Sequence, residues 1–321
     1  MTDSRFDRPL RLQPLYRERI WGGTRLRREL HRVDAPEHTA ESWELADLPD
    51  ASSVTVTEPW RGKTLSELVA LDRGAMLGKT EGTTIPLLVK LIDAGQDLSV
   101  QLHPSDETAR KELGERGKTE MWYVLDAAPG ASLFCGLTRP VTREEFRRRA
   151  EDGSITEILR RVEVKKGDVF FIAPGTVHAL GAGLFVAEVQ QSSDSTFRLY
   201  DYGRLGADGK PRELHIDRAV DCAVLTASDP DVPTENGNAS FLRVADSPYF
   251  TVDRLTVRGK EILPRAETFR HLLCVEGEGT LFRGNITENL RPGDSFFLPA
   301  GMGEAALCGD CRVLLSAVPN T

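Results

Sequence analysis

The chain has 321 residues, 40% of them hydrophobic and 28% charged, which suits a globular protein of two ordinary domains or one large one with a real hydrophobic core and excludes a disordered chain. A net charge of -8 implies no basic face, so no nucleic-acid partner is expected, although a few local cations suffice for a small anion. The longest apolar runs, "LLVKLI", "LFVAEV" and "DSFFLPAG", are too short to span a bilayer, and the charged start "MTDSRFDRPLRL" lacks a secretion-signal core, so no membrane contact and a cytoplasmic location are expected.

In chain order, most segments read as short strands bounded by Gly, Pro, Asp and Asn. "SSVTVTE" is the first, and the pair Thr64 and Glu67 then forms a capping box that opens the helix "LSELVAL". In the strand "PLLVKLID", Lys90 sits in an otherwise apolar run, where an ammonium is costly unless it faces a cavity or an anion. Alternation in "LSVQLH" places Leu98, Val100 and Leu102 on one side and Ser99, Gln101 and His103 on the other, up to Pro104. Ser105 caps the helix "DETARKEL", which Gly114 and Gly117 stop. Glu120 begins the strand "EMWYVLD", with Lys118 two residues earlier, and "ASLFCGL" follows. Two successive capping boxes, Thr142 with Glu145 and Ser154 with Glu157, predict helices over "REEFRRRA" and "ITEILRRV", a helical insertion at about 140–162. Then come "VFFIA", the turn "PGTVHAL" carrying His178, the strand "LFVAEVQ", and "DSTFRLYDYGR" carrying Arg198. The polar, turn-rich stretch at 227–240 reads as a linker, and strands resume with "FTVDRLTV".

An internal repeat organises these strands: "GDVFFIAPGTVHAL" at 167–180 and "GDSFFLPAGMGEAA" at 293–306 align without a gap. The alignment sets His178 against Glu304, and counting back sets Glu120 against His271. The fold class expected is therefore mainly β, two related β-barrels or sandwiches with a small helical insertion. The divisions are an N-terminal barrel at 1–226, the linker at 227–240 and a second barrel at 241–321. Around "ILPRAE" the second copy has no counterparts of Gln101 and His103, so it reads as a packing or lid-forming barrel. The five cysteines are scattered, and "CGDC" at 308–311 lacks the second pair of a tetrahedral zinc site, so free thiols are expected.

The N-terminal copy concentrates the chemistry. Gln101 and His103 share a strand face, Glu120 opens the next strand, and His178 sits at a turn. Converging inside a barrel, two imidazoles, a carboxylate and an amide oxygen can hold one divalent metal, and Zn²⁺, Fe²⁺, Mn²⁺ and Ni²⁺ all suit that set. Lys90, Lys118 and Arg198 lie on the same elements. Facing inward, they would add an anion site to the metal; facing outward, they would be snorkelling surface cations.

The segments "WGGTRL", "ESWEL", "LLVKLIDAGQDLSVQLHPSDE", "GKTEMWYVLDA", "PGTVHAL" and "RELHIDRA", in that order over nearly the whole chain, resemble the type I mannose-6-phosphate isomerases, metal-dependent cupins. The compact length and the wording "KTEMWYVLD" and "RLYDYGR" are similar to the shorter bacterial branch. The resemblance implies two cupin-type jelly-roll barrels and one Zn²⁺ per chain in the N-terminal barrel, held by Gln101, His103, Glu120 and His178. It implies a sugar phosphate as the small-molecule partner, Arg198 as a catalytic residue, and Lys90, Ser99 and Lys118 as contacts to substrate and phosphate. Glu188, in "FVAEVQQ", matches a pocket carboxylate. The proton-transfer residue stays open between Glu188, Lys118 and a zinc-bound water, with Glu188 ranked first on family position. The implied reaction is interconversion of mannose 6-phosphate and fructose 6-phosphate through a cis-enediol. Two other readings of the same residues are a non-haem metal cupin oxygenase and a non-catalytic cupin that binds a sugar phosphate.

Overall fold

Short segments of alternating polarity recur along the chain, and strands accordingly carry most of the regular structure. The computed structural model describes residues 5–206, 209–229 and 239–319. The linker expected at 227–240 lies outside the described residues over 230–238. Among the described residues, no helix is long and apolar enough to cross a membrane.

Two compact units share the chain without following its order. One draws on the described residues of Met1–Leu15, Trp43–Lys90 and Asn236–Thr321, the other on those of Tyr16–Ser42 and Leu91–Glu235. In the first unit, an antiparallel sheet runs Phe241–Asp246, Thr251–Leu263, Ala305–Ala317, Arg270–Arg283, Ser295–Leu298, Leu10–Gln13 and Val54–Thr55. The N-terminal strand thus pairs with the second repeat, Leu10 opposite Phe297. The repeat's Phe296 joins Val257, Leu272, Leu281, Val313 and Met302 in one apolar core. The helix Leu65–Leu71 begins with the capping box expected from sequence, Thr64 accepting from the Glu67 N–H while the Glu67 side chain accepts from the Thr64 N–H.

The second unit contains two sheets. The first runs Leu159–Glu163, Ser132–Leu137, His178–Leu180, Val100–Leu102 and Phe197–Tyr200. In the other, Val169–Ile172, Glu120–Ala127 and Leu184–Gln191 are consecutive neighbours. Period-two alternation divides the first sheet's side chains between two cores. Val100, Leu102, Ala179, Phe197 and Leu199 pack with Phe146 and Ala150 of the helix Arg143–Asp152 and with Ala219 and Val220 of the helix Ile216–Cys222. Leu133, Cys135 and Leu180 pack instead with Trp122, Val124, Phe170, Ile172 and Val186.

Two expectations shift. The strand carrying Gln101 starts at Val100, and Leu98, before it, packs in the core of Trp122 and Leu133 rather than with Val100 and Leu102. The helix expected over "ITEILRRV" is a 3₁₀ turn, Ser154–Ile158, followed by the strand Leu159–Glu163. Gly153, in the left-handed region at φ 81°, ends the preceding helix and takes the cap position, so Ser154 falls inside the turn and caps nothing. The remaining "LRRVE" then finds its hydrogen bonds against Ser132–Leu137.

Candidate metal centre

Register builds the centre. Across the first sheet of the second unit, Cys135 pairs with His178, His178 with Gln101, and Gln101 with Arg198. Paired residues of antiparallel strands project to the same side, so these four form one row. In the other sheet Glu120 pairs with Ile172 and Gln190, and Trp122 with Phe170 and Glu188. The two rows meet at the polar end of the intervening core. His103 Nε2 is 3.2 Å from Glu120 Oε1, and His178 Nε2 is 3.9 Å from Glu120 Oε2. The indole of Trp122 meets the His178 ring edge-on at 5.3 Å between centroids.

One donor atom from each of His103, Glu120 and His178 lies within 4.8 Å of the other two, and all three side chains are buried. Among the described residues this is the one such group of three or more His, Cys, Asp or Glu. Both imidazoles are oriented by the main chain: His103 Nδ1 donates to the Ser195 carbonyl at 2.9 Å, and His178 Nδ1 to the Thr176 carbonyl at 2.8 Å. Each Nδ1 therefore carries the proton, and each Nε2 keeps a lone pair turned toward Glu120. That arrangement is characteristic of metal-ligating histidines. Among the described residues, the His178 Nε2 and Glu120 Oε2 have no hydrogen-bond partner, a cost that a buried polar group rarely bears without a ligand. Two neutral imidazoles and a carboxylate converging in this way fit a divalent first-row metal. His103, Glu120 and His178 form a metal-binding site.

Charge within the centre agrees with this reading. Burial, then the Lys118 charge, holds the His103 imidazole below its ordinary value, and burial, then His103, holds His178 down at about 3, so both rings are neutral at pH 7. Burial alone would raise Glu120, but the Lys118 ammonium overcomes it and keeps this carboxyl well below the usual range. Lys118 is itself buried, its Nζ 2.8 Å from Glu120 Oε1 and 3.5 Å from His103 Nε2.

The other expected site residues fall as follows. Gln101 is beside His178 by register, and its Oε1 accepts from Ser99 Oγ at 3.2 Å. Arg198 Nε donates to the same Ser99 Oγ at 3.3 Å, and its Nη1 to the Glu213 carbonyl at 2.8 Å. Burial, then the neighbouring charge of Arg212, lowers the Arg198 pKa. Glu188 is buried and its Oε2 accepts from Trp122 Nε1 at 2.9 Å. Lys90 belongs to the first unit, where it is buried with its ammonium 5.5 Å from the Trp43 ring. Trp122, the carbonyls of Thr176 and Ser195, and the two glutamines after Glu188 were not singled out from sequence. Trp122 was accessible to the alternation rule, lying two residues after Glu120 on the same face.

Comparison with known proteins places this geometry in a family. Residues 10–128 match the family model "Phosphomannose isomerase type I, catalytic domain", and residues 240–318 match "Mannose-6-phosphate isomerase, cupin domain". Over 313 residues the chain is 38% identical to the probable mannose-6-phosphate isomerase GmuF of Bacillus subtilis, covering 96% of this chain and 98% of that one. It is 34% identical over 316 residues to the mannose-6-phosphate isomerase of Streptococcus mutans, covering 96% and 98%. The crystal structure of a mannose 6-phosphate isomerase from Bacillus subtilis superposes with a TM-score of 0.89 at 36% identity, over 97% of this chain and 99% of that one. A mannose 6-phosphate isomerase solved with zinc and yttrium bound shares the fold, with a TM-score of 0.78 at 18% identity over 97% and 100% of the two chains.

Proposed function

The chain belongs to the type I mannose-6-phosphate isomerases, and from that premise we propose that it interconverts mannose 6-phosphate and fructose 6-phosphate at the centre built on His103, Glu120 and His178. The observation that carries the reading is the buried convergence of those three donors within 4.8 Å. We assign zinc as the metal, one ion per chain in the N-terminal barrel of residues 1–226, with Gln101 as a fourth, neutral oxygen ligand. The relative solved with zinc supports that choice, and the donor set is compatible with it. When bound there, zinc supplies Lewis-acid polarisation of the sugar oxygens at C1 and C2.

The chain's own residues supply the rest. The reaction moves one proton between C2 and C1 of the open-chain sugar and one between the two oxygens, through a cis-enediol. A C–H beside a carbonyl is a weak acid, so a base must be held within reach and the developing oxyanion stabilised. Glu188 is the base we favour, on its family position; its Oε2 accepts from Trp122 Nε1, which fixes its rotamer. Arg198 stays protonated and donates in a fixed fork, so it stabilises charge on the enediolate oxygens. Lys118 balances the Glu120 carboxylate. Ser99 would contact the phosphate, whose binding energy helps orient the reacting end.

The test is a coupled assay of mannose 6-phosphate to fructose 6-phosphate on chelator-treated and zinc-reconstituted protein, with metal measured directly. About one zinc per chain and activity that tracks it are expected. Full turnover by metal-free protein would refute the mechanism, and saturable sugar-phosphate binding without turnover would refute the enzyme.

A further inference from the structure

The strand that carries Glu188 ends in two consecutive glutamines, and neither reaches solvent: Gln190 is 0% exposed and Gln191 is 4% exposed. Gln190 spends both amide protons on the turn that follows it, Nε2 donating to the Gln191 carbonyl at 2.8 Å and to the Ser193 carbonyl at 2.6 Å. The amide cannot be reversed, because its oxygen would then face two carbonyl oxygens. The same turn is closed by the Ser193 N–H on the Gln191 carbonyl and the Ser195 N–H on Ser193 Oγ. Its end delivers the Ser195 carbonyl to His103 Nδ1.

Gln191 works on the other side. Its Oε1 accepts from the Thr119 N–H at 2.9 Å, its N–H donates to the Thr119 carbonyl at 3.2 Å, and its Nε2 donates to Asp106 Oδ1 at 3.1 Å. Thr119 is the residue between Lys118 and Glu120. Asp106 Oδ1 also accepts from the Gly117 N–H at 2.7 Å, and a Cβ at Gly117 would lie 2.4 Å from the Asp106 nitrogen, so glycine is required for this approach.

We infer that the turn 190–195 is a positioning element for the metal centre, with Gln190 fixing the ring orientation and tautomer of His103 and Gln191 fixing the backbone that presents Lys118 and Glu120. The inference rests on the metal centre proposed above and assigns these two glutamines a role in it. They are positioning residues, since their side-chain hydrogen bonds go to the turn carbonyls, Thr119 and Asp106 and not to the three metal donors. Partners of this kind typically tune metal affinity by about 10–100-fold.

Co²⁺ titration of chelator-treated protein, read by its visible absorption, gives the reference affinity and tests the premise separately. Undiminished Co²⁺ binding by His103→Ala would refute the metal centre itself. With that centre intact, Gln190→Met keeps length and apolar packing but loses both donors, so its Co²⁺ dissociation constant should rise about 10–100-fold. Long-range ¹H–¹⁵N spectra of the metal-free chain should show His103 protonated on Nδ1 alone in the wild type and as a mixture of tautomers in Gln190→Met. Gln191→Leu should weaken Co²⁺ binding without mixing the His103 tautomers. Wild-type affinity in a folded Gln190→Met or Gln191→Leu chain overturns the inference. So does a wild-type His103 that carries its proton on Nε2, an outcome that needs no variant at all.

Discussion

Glu188 and His178 touch the same indole, one at its N–H and one at its edge, and that shared contact separates two effects of substitution. Replacing Glu188 by Gln keeps the shape and an oxygen to accept from Trp122 but removes the base. The expected result is a kcat lower by about 10²–10⁴ with metal content and KM close to wild type, read in the coupled assay with metal analysis. A variant that loses metal in proportion to activity would make Glu188 a support of the centre rather than its base. At this scale the sequence was legible where chemistry resides in a side chain at an alternating position. His103, Glu120 and His178 were picked out by residue type and strand period, and the structure brings them together. The groups that set their protonation were not legible, because the carbonyls of Ser195 and Thr176 belong to the main chain and are written identically for every residue. Trp122 was passed over for a different reason: an aromatic in a strand is usually core, and here it is core and site at once.

The helix Arg143–Asp152 shows how the elements carry the site. Thr142 caps it by accepting from the Glu145 N–H, and the exposed face is laced with Arg139–Glu145 and Arg148–Asp152 pairs, each worth little in water. Its hold on the fold comes from Phe146 and Ala150, buried under the sheet that bears Gln101 and His178. Phe146→Ala should therefore destabilise the chain by about 3–5 kcal/mol, while Thr142→Ala costs about 1 kcal/mol, both measured by urea unfolding. Equal effects would mean that the helix is held by its ends and not by its buried face. The neighbouring "SITE" pattern carries the same capping signature and yet makes a 3₁₀ turn. Local spacing cannot report that Gly153 has already taken the cap position, nor that "LRRVE" has a strand waiting for it. Strand Leu10–Gln13 makes the same point over a longer span, pairing with residues nearly three hundred positions away.

At the scale of the whole molecule, three histidines are buried neutral, and stability must depend on pH through them. His178 and His271 are both held at about 3 by burial, and His103 is lowered as well. The unfolded chain takes up protons at these residues near 6.5 while the folded chain does not, so stability is fully present above that value and falls as pH drops from 6.5 toward about 3. His178 and His271 each contribute a slope of about 1.4 kcal/mol per pH unit within that window. His271 isolates the effect, because it lies in the unit that does not hold His103, Glu120 and His178. Its Nε2 donates to Ser295 Oγ at 2.8 Å, which in turn donates to the Glu44 carbonyl at 2.8 Å. Gln at 271 can retain the donor to Ser295 but cannot titrate. Comparing urea unfolding at pH 7 and pH 5, the stability lost on acidification should be smaller in His271→Gln than in the wild type by about 2 kcal/mol. An unchanged loss would show that His271 is protonated without unfolding.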